Sequence, residues 1–546
     1  MKASARSLLA LTLLCLALFA YTVKIRRPWF GVISPSLSHH QWLTCATMLI
    51  TRNWYRETPW KLAFGLFNNP ASVEFPSLVS RGVYHSYPPG AFFPVYILAE
   101  VMGHEPGPRM IMGWNLALHF LTALGLSWLV FAALRLADFA EGPAFGFACL
   151  PLLLDLFSPG PLYWHQNVYM SDMAGTMPYI WCVFLELLLA RPGSAEKGRR
   201  LRLAQGLLLF WGFFTEWLFF FVGITLYAKR LLLGEMGRGR REMLKKSLGF
   251  WCGPALAMLL FVLQQAWLDP ASFRSLFHDF LFRSGLNAGP FAANLADFPA
   301  NWWPYLRADF GNSEPALLLA AVGCWACLGI LAAFRVRAGK ALSPGWKILF
   351  WLVPVLLVPC VLHVLVFRSY SQIHGYTSVK FETSVCTVPF ALVPALALVS
   401  AEEWLRVRVP AWPPAVAAGL AVLFQLSLTF PTFPSRFPKF TLPYGHVEGI
   451  FRRDIHFSDV VFSPSFSIPD SPPHLLAFTM KRVYFIRSMA DIRKKVEGIH
   501  RPFNVVVMFF QKPGPAWKKR LARARLTRDL DCYIYRLKPD QWRRGS

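Results

Sequence analysis

Residues 203–229 read LAQGLLLFWGFFTEWLFFFVGITLYAK. Basic runs bound this stretch on both sides. Residues 191–202 carry Arg191, Lys197, Arg199, Arg200 and Arg202, and 229–246 carry seven Lys or Arg. Cations in short loops mark the cytoplasmic side of a membrane, so both ends of the stretch belong on one side. Two full spans need about 20 residues each, and only about 26 lie between the basic runs. The stretch is therefore expected to enter the membrane and turn back within it as two short helices, with Thr215-Glu216-Trp217 at the turn. Non-helical backbone at that depth is tolerated only against protein or a water-filled cavity. Glu216 is accordingly expected to face a polar cavity open to the outside.

The same pattern extends in both directions. Apolar segments fall near 7–23, 109–134, 143–160, 173–190, 203–214, 217–229, 247–267, 315–334, 347–367, 383–400 and 412–430. A third basic loop, 335–347, holds Arg335, Arg337, Lys340 and Lys347. With the basic loops inside, 24–108, 159–172, 268–314, 368–382 and 431–546 fall outside. The Lys24–Arg27 cluster opposes this orientation, while the internal loops agree with one another. The composition agrees with membrane embedding: 55% of the 546 residues are hydrophobic, 21 are Trp, and the mean hydropathy is +0.38.

The expected fold is an all-α polytopic membrane protein with about eleven membrane segments. Residues 1–430 form the membrane domain, with a long first outer loop at 24–108. Residues 431–546 form a small extracytoplasmic α/β domain. In that tail, 482–486, 504–510 and 532–537 read as strands, and 488–500 and 516–526 as helices, which suggests some parallel pairing. Pro-rich runs at 430–443 and 463–473 precede them. The expected location is the plasma (inner) membrane.

The formal charge of +26 would suggest nucleic acid in a soluble chain. Here much of it sits in the short loops that set orientation, so nucleic acid is not the expected partner. Most of the ten Cys, including Cys324 and Cys327, lie in apolar runs. Cys45 and Cys532 lie outside them, and no disulfide framework is visible. The first apolar stretch has no small-residue cleavage site after it and reads as an uncleaved helix.

Polar residues in apolar settings are the candidates for chemistry. Asp172 opens the fourth span, where a Ser-Asp pair also makes a good helix cap. Glu216 is a carboxylate at membrane depth, costly unless paired or wet. The first outer loop is aromatic and polar, with His39-His40-Gln41-Trp42, Arg52-Asn53-Trp54-Tyr55 and Tyr84-His85-Ser86-Tyr87-Pro88-Pro89-Gly90. The apolar stretch 92–102 is too short to span and is expected to lie along the membrane surface. Arg368, His374 and Lys380 share a short late loop. Arg274, His278 and Arg283 share another, and Asp155 and His165 are further candidates.

These motifs in this order resemble the GT-C glycosyltransferases. The resemblance is to the branch with protein O-mannosyltransferases and lipid A aminoarabinose transferases, of the glycosyltransferase family 39 type. It rests on the Tyr84…Tyr87-Pro88-Pro89-Gly90 segment followed by a short helix, then a glycine and an arginine opening the next span. A bacterial and archaeal group is closer still, with an HHxW…ARN start, an acidic second loop and an LTDW turn. The matching residues here are His39-His40-Gln41-Trp42, Thr51-Arg52-Asn53, Ser171-Asp172-Met173, Thr215-Glu216-Trp217 and Gln372-Ile373-His374-Gly375-Tyr376. The resemblance covers roughly residues 1–430.

It implies transfer of a sugar from a polyprenyl-phosphate donor to a glycan, lipid or protein acceptor at the outer face. Such chemistry needs a carboxylate near the acceptor hydroxyl and cations for the leaving phosphate. Arg368, His374 and Lys380 would bind the donor phosphate; Tyr84, His85 and Tyr87 would line the acceptor loop. Most of the superfamily has Asp or Glu where this chain has His39-His40. Three readings stay open: His39 or His40 is the base, Asp172 or Glu216 takes that role, or His39, His40 and Asp172 hold a divalent metal. Two other classes compete, a transporter or flippase of a lipid-linked or anionic substrate, and a non-catalytic binding protein of the same fold.

Overall fold

Every one of the eleven apolar segments lies on helical chain in the computed structural model. The structure describes residues 5–542 except 35, 191–194, 238, 270, 287–295, 407–409, 438–443, 465–472, 510–511, 523, 530–531 and 538–541. Arg191 and most of the 463–473 run thus lie outside the described residues. The helices are α1 (Ala5–Arg26), α2 (Trp42–Glu57), α3 (Phe93–Met102), α4 (Pro108–Leu136), α5 (Glu141–Phe157), α6 (Pro159–Asn167), α7 (Ser171–Leu189), α8 (Ala195–Phe213), α9 (Leu218–Leu232), α10 (Arg240–Leu268) and α11 (Ser272–Ser284). They continue with α12 (Phe298–Phe310), α13 (Glu314–Arg337), α14 (Pro344–Val366), α15 (Arg368–Ile373), α16 (Glu382–Thr387), α17 (Val393–Leu405) and α18 (Trp412–Thr429).

Among the described residues, eight helices are long and apolar enough to cross a membrane, and a ninth if the bent α5–α6 pair is one span. The protein is a multi-pass integral membrane protein. Ser158-Pro159 bends α5–α6 by 58°; Ser158 is extended, at φ −68° and ψ 140°, as a residue before proline prefers. Most of α4 and α7 is buried, whereas only 17% of the α1 and α13 spans is buried. Exposed Leu13, Leu259, Leu331 and Phe424 give the outer helices the apolar surface that lipid requires.

The α8–α9 hairpin is short, as the charge pattern demands. Its helices have 19 and 15 residues. The turn is covered by the Pro88-Pro89-Gly90 loop: the Gly90 amide donates to the Phe214 carbonyl at 2.7 Å, and the Trp217 indole donates to the Ser86 carbonyl at 2.7 Å. A β-carbon on Gly90 would lie 2.3 Å from the Phe214 oxygen. Gly90→Ala should therefore force the loop off the turn and lower stability by about 1–3 kcal/mol, the usual cost of overpacking. Thermal unfolding in detergent checks this; an unchanged midpoint would show that the loop does not clamp the turn. The α3 helix exposes Ile97, Val101 and Met102 and buries Val95 and Ala99.

The chain after α18 adds α19 (Tyr444–Asp454), β1 (Asp459–Ser463), α20 (Pro473–Thr479), β2 (Val483–Phe485), α21 (Met489–Val496), β3 (Asn504–Phe509), α22 (Pro515–Arg520), β4 (Arg525–Asp529) and β5 (Cys532–Leu537). The sheet order is β2-β1-β3-β5-β4. The first three strands are parallel, and β5 and β4 are antiparallel. Two expectations fail here. β1 was not foreseen, because Asp-Val-Val-Phe-Ser is buried at every position and shows no alternation. The expected helix over 516–526 stops at Arg520, and Leu526 lies in β4. That segment is an edge strand, where Arg and Lys blunt pairing with other chains and also mimic a helical sequence.

Arg52 ties this region to the first outer loop. Its guanidinium donates to the Ala477 carbonyl at the end of α20 at 2.9 Å and pairs with Glu448 at 3.0 Å. A cation at a helix C-terminus is favourably placed. Among the described residues no cysteine, Cys45 and Cys532 included, forms a disulfide.

Candidate active site

Asp172 sits in the first turn of α7, where the helix dipole favours a negative charge. Its side chain makes no cap. Oδ1 lies 2.6 Å from the Lys380 ammonium. Oδ2 faces the hydroxyls of Tyr87 and Tyr370 at 3.5 and 3.4 Å. Lys380 comes from the 3-10 segment Gly375–Phe381. It also reaches Glu216 Oε1 at 2.9 Å, and His363 Nε2 lies 3.3 Å from that oxygen. The Leu218 amide donates to the other oxygen of Glu216. Asp172, Glu216 and Lys380 are 3%, 1% and 2% exposed. Charges this deep persist only when paired and hydrogen-bonded, and here one ammonium serves two carboxylates. Glu216 is thus satisfied by protein and does not need the open aqueous cavity expected for it.

The tyrosine hydroxyls extend the network. Tyr87 and Tyr370 are 2.9 Å apart, and Tyr370 and Tyr376 are 2.7 Å apart. The Arg283 guanidinium, near the end of α11, lies over the rings of Tyr87 and Tyr370 at 4.7 and 4.6 Å. One of its nitrogens lies 3.5 Å from the Tyr84 hydroxyl. Among the described residues no carboxylate pairs with Arg283. The sequence grouped Arg283 with Arg274 and His278, named Tyr376 only at the end of the Gln372–Tyr376 motif, and offered no role for Tyr370 or His363. The signal available was their position in polar loops rich in aromatic residues.

The other candidates are placed as follows. Arg368 donates to the Gly285 carbonyl at 3.4 Å, beside the end of α11. His374 stacks on Tyr376, with centroids 5.1 Å apart. His85 pairs with Gln265 at 2.6 Å. His39 contacts Ser38, and its carbonyl accepts from Tyr163 at 2.7 Å. The His40 ring lies 5.2 Å from Tyr376, so it reaches Asp172 only through Tyr376 and Tyr370. Among the described residues no group of three His, Cys, Asp or Glu is placed to hold a metal ion. The set His39, His40 and Asp172 does not converge, and the Lys380 ammonium lies beside Asp172.

Burial, then His39, pushes the His40 imidazole down to about 4. Burial, then His40 and Arg283, pushes His374 down to about 3. Both fold as neutral rings. The unfolded chain binds protons near the usual histidine value of about 6.5, so it holds more protons than the native state below that value. Stability then rises with pH and is lost as pH falls from about 6.5 toward 4. Thermal midpoints taken from pH 7.5 to 4.5 should fall, and His40→Gln with His374→Gln should flatten the slope. An unchanged slope in the double variant would assign the loss to other groups.

A second buried network lies behind the first. Asp155 meets His119 at 3.3 Å, Arg26 meets His119 at 3.1 Å, and His165 meets Glu382 at 2.7 Å. The His119 and His165 rings stack at 4.8 Å. Arg26 is fully buried, so it is not a free loop cation in the Lys24–Arg27 cluster that opposed the expected orientation.

A buried acid–ammonium–acid group thus lies beneath a loop-borne tyrosine cluster, within a helical fold shared with membrane proteins of known structure. The chain aligns with ArnT from Cupriavidus metallidurans bound to undecaprenyl phosphate over 98% of this chain and 99% of that one, with TM-score 0.55 and 12% identity. It aligns with the oligosaccharyltransferase of Archaeoglobus fulgidus in the apo form over 92% and 70%, with TM-score 0.53 and 10% identity. AglB from Archaeoglobus fulgidus, in complex with an inhibitory peptide and a dolichol-phosphate, aligns over 92% and 69%, with TM-score 0.53 and 10% identity. At such identities the likeness is one of fold. No family model matches the sequence, and no curated protein does.

Proposed function

We propose that this protein is a glycosyltransferase that moves a sugar from a polyprenyl-phosphate donor to an acceptor at the outer face of the plasma membrane. Residues 1–430 form the catalytic membrane domain and 431–546 an outer domain. The observation that carries this reading is the joining of Asp172 to Arg283 through the hydroxyls and rings of Tyr87 and Tyr370. One cluster thereby offers a carboxylate for an acceptor hydroxyl and a guanidinium for a phosphate.

The surroundings of Arg283 support a lipid-linked donor. Phe273, Phe277 and Phe280 share one side of the same helix and are exposed, an apolar face suited to acyl or prenyl chains. A tail lying along α11 would carry its phosphate to Arg283 and to Arg368 at the helix end. Asp172 would take the acceptor's proton as the new bond forms at the anomeric carbon. The bond from that carbon to the phosphate oxygen breaks, and the departing charge is met by Arg283. Lys380 holds both carboxylates in place. No step here requires a metal.

The test is a transfer assay with purified protein in lipid, labelled polyprenyl-phosphate sugars and a membrane-glycan extract. Labelled product that depends on protein supports the reading. Tight donor binding without turnover of any donor would move it to a transporter or a non-catalytic binding protein. In the same assay Arg283→Gln should raise the donor KM about 10- to 100-fold, since a hydrogen bond to a charged group contributes about 1.5–3 kcal/mol. A donor KM within twofold of wild type would remove Arg283 from the phosphate site.

A further inference from the structure

A cavity of about 660 Å³ lies on the other side of His40 from Asp172, walled by Tyr163, Trp164, Tyr305, Arg307, Asp309 and Arg436. Pockets of this size hold ligands of a few rings. One wall is rigid. The Trp164 indole donates to Asp309 at 2.8 Å, Arg436 pairs with Asp309 at 2.6 Å, and the Ser378 hydroxyl donates to the same carboxylate. Asp309 is thus fully engaged, and what it fixes is the orientation of the Trp164 ring. Gly160 passes against it; a β-carbon there would lie 2.4 Å from that of Asp309. Tyr305, part-exposed, gives a second aromatic surface.

The rim differs from the wall. Arg307 is exposed and bonds Asn312 through Nε and Nη2 at 2.9 and 2.7 Å. Among the described residues it has no carboxylate partner. At the inner end stands His40, at φ 53°, a backbone region that costs a non-glycine residue energy. Its buried Nδ1 has no partner within the protein. A buried polar atom left unpaired calls for a ligand or water.

We infer that this cavity binds an anionic saccharide, its ring between the Trp164 and Tyr305 faces, its charged substituent on Arg307 and a hydroxyl on His40. Aromatic faces with a few fixed polar groups and a rim arginine fit a charged sugar ring. The inference rests on the transferase reading and names its acceptor class. His40 then forms the partition through which the acceptor approaches Asp172, because Tyr376 touches both His40 and Tyr370.

Saturation-transfer NMR on the whole protein in nanodiscs free of sugar detergent tests this. The probes are glucose 6-phosphate, glucose and inorganic phosphate. Glucose 6-phosphate should show ring-proton contacts. Tyr305→Ala and Arg307→Gln should each weaken them at least about fivefold, as expected for losing one aromatic or charge-assisted contact. Glucose should bind more weakly, and equimolar phosphate should not displace the sugar. Absence of ring-proton contacts, indifference to both substitutions, or full displacement by phosphate would overturn the inference. The transferase reading fails separately: ring contacts without donor turnover in the wild-type protein would leave the saccharide site standing and remove the enzyme.

Discussion

Asp172→Asn should lower kcat for sugar transfer by about 10²–10⁴-fold, the usual range for removing a positioned general base, with the donor KM little changed. The asparagine keeps the shape of the side chain and can still meet the Tyr87 and Tyr370 hydroxyls. It loses the charge and the basicity. Lys380 remains paired with Glu216 at 2.9 Å, so the fold should hold and the thermal midpoint should move little. Donor binding should also hold, because the phosphate is assigned to Arg283. Steady-state kinetics with labelled donor, alongside thermal unfolding, read all three quantities. Activity within tenfold of wild type in a folded variant would pass the base role to Glu216 or to His40, and Glu216→Gln and His40→Gln would then decide between them.

The second large effect concerns stability. Lys380→Met should destabilise the protein by about 3–5 kcal/mol, the cost of breaking a buried ion pair by removing one partner. Asp172 and Glu216 would face each other without their shared ammonium, in surroundings where water cannot replace it. Lys380→Met combined with Glu216→Gln should recover much of the loss, since one buried charge then disappears. Unfolding in detergent measures both variants. A Lys380→Met protein as stable as wild type would mean that the carboxylates are not held by Lys380, and no recovery in the double variant would mean that Glu216 is not the group left exposed.

The membrane helices were legible because each carries its own signal. A run of apolar residues needs no partner to be read, and the short α8–α9 hairpin follows from two basic flanks and a length. Asp172 and Glu216 also stood out locally, one as an acid opening a span and the other as an acid at membrane depth. Lys380 was read as a phosphate cation from its loop alone. The structure brings it to two acids 208 and 164 positions away, and that choice of partner leaves no trace in local pattern. Arg283 was diluted among neighbouring cations, because its meaning comes from two tyrosine rings supplied by distant loops. Arg52, prominent in a motif, proves to hold the end of α20. In the tail, β1 and β4 escaped because neither shows the alternation of a strand with one buried face.

Residues 203–229 by themselves pointed to a hairpin of two short helices, which α8 and α9 are, and the apolar runs determined a multi-pass helical protein. Hydrophobicity and charge are properties of a segment, and a bilayer reads them segment by segment. The tertiary structure alone decided which charges meet. In a dry interior an ionised group must find its partner wherever the packing brings one, so Asp172, Glu216 and Lys380 became one group, and Arg283 came to rest on Tyr87 and Tyr370, only when the helices closed around them.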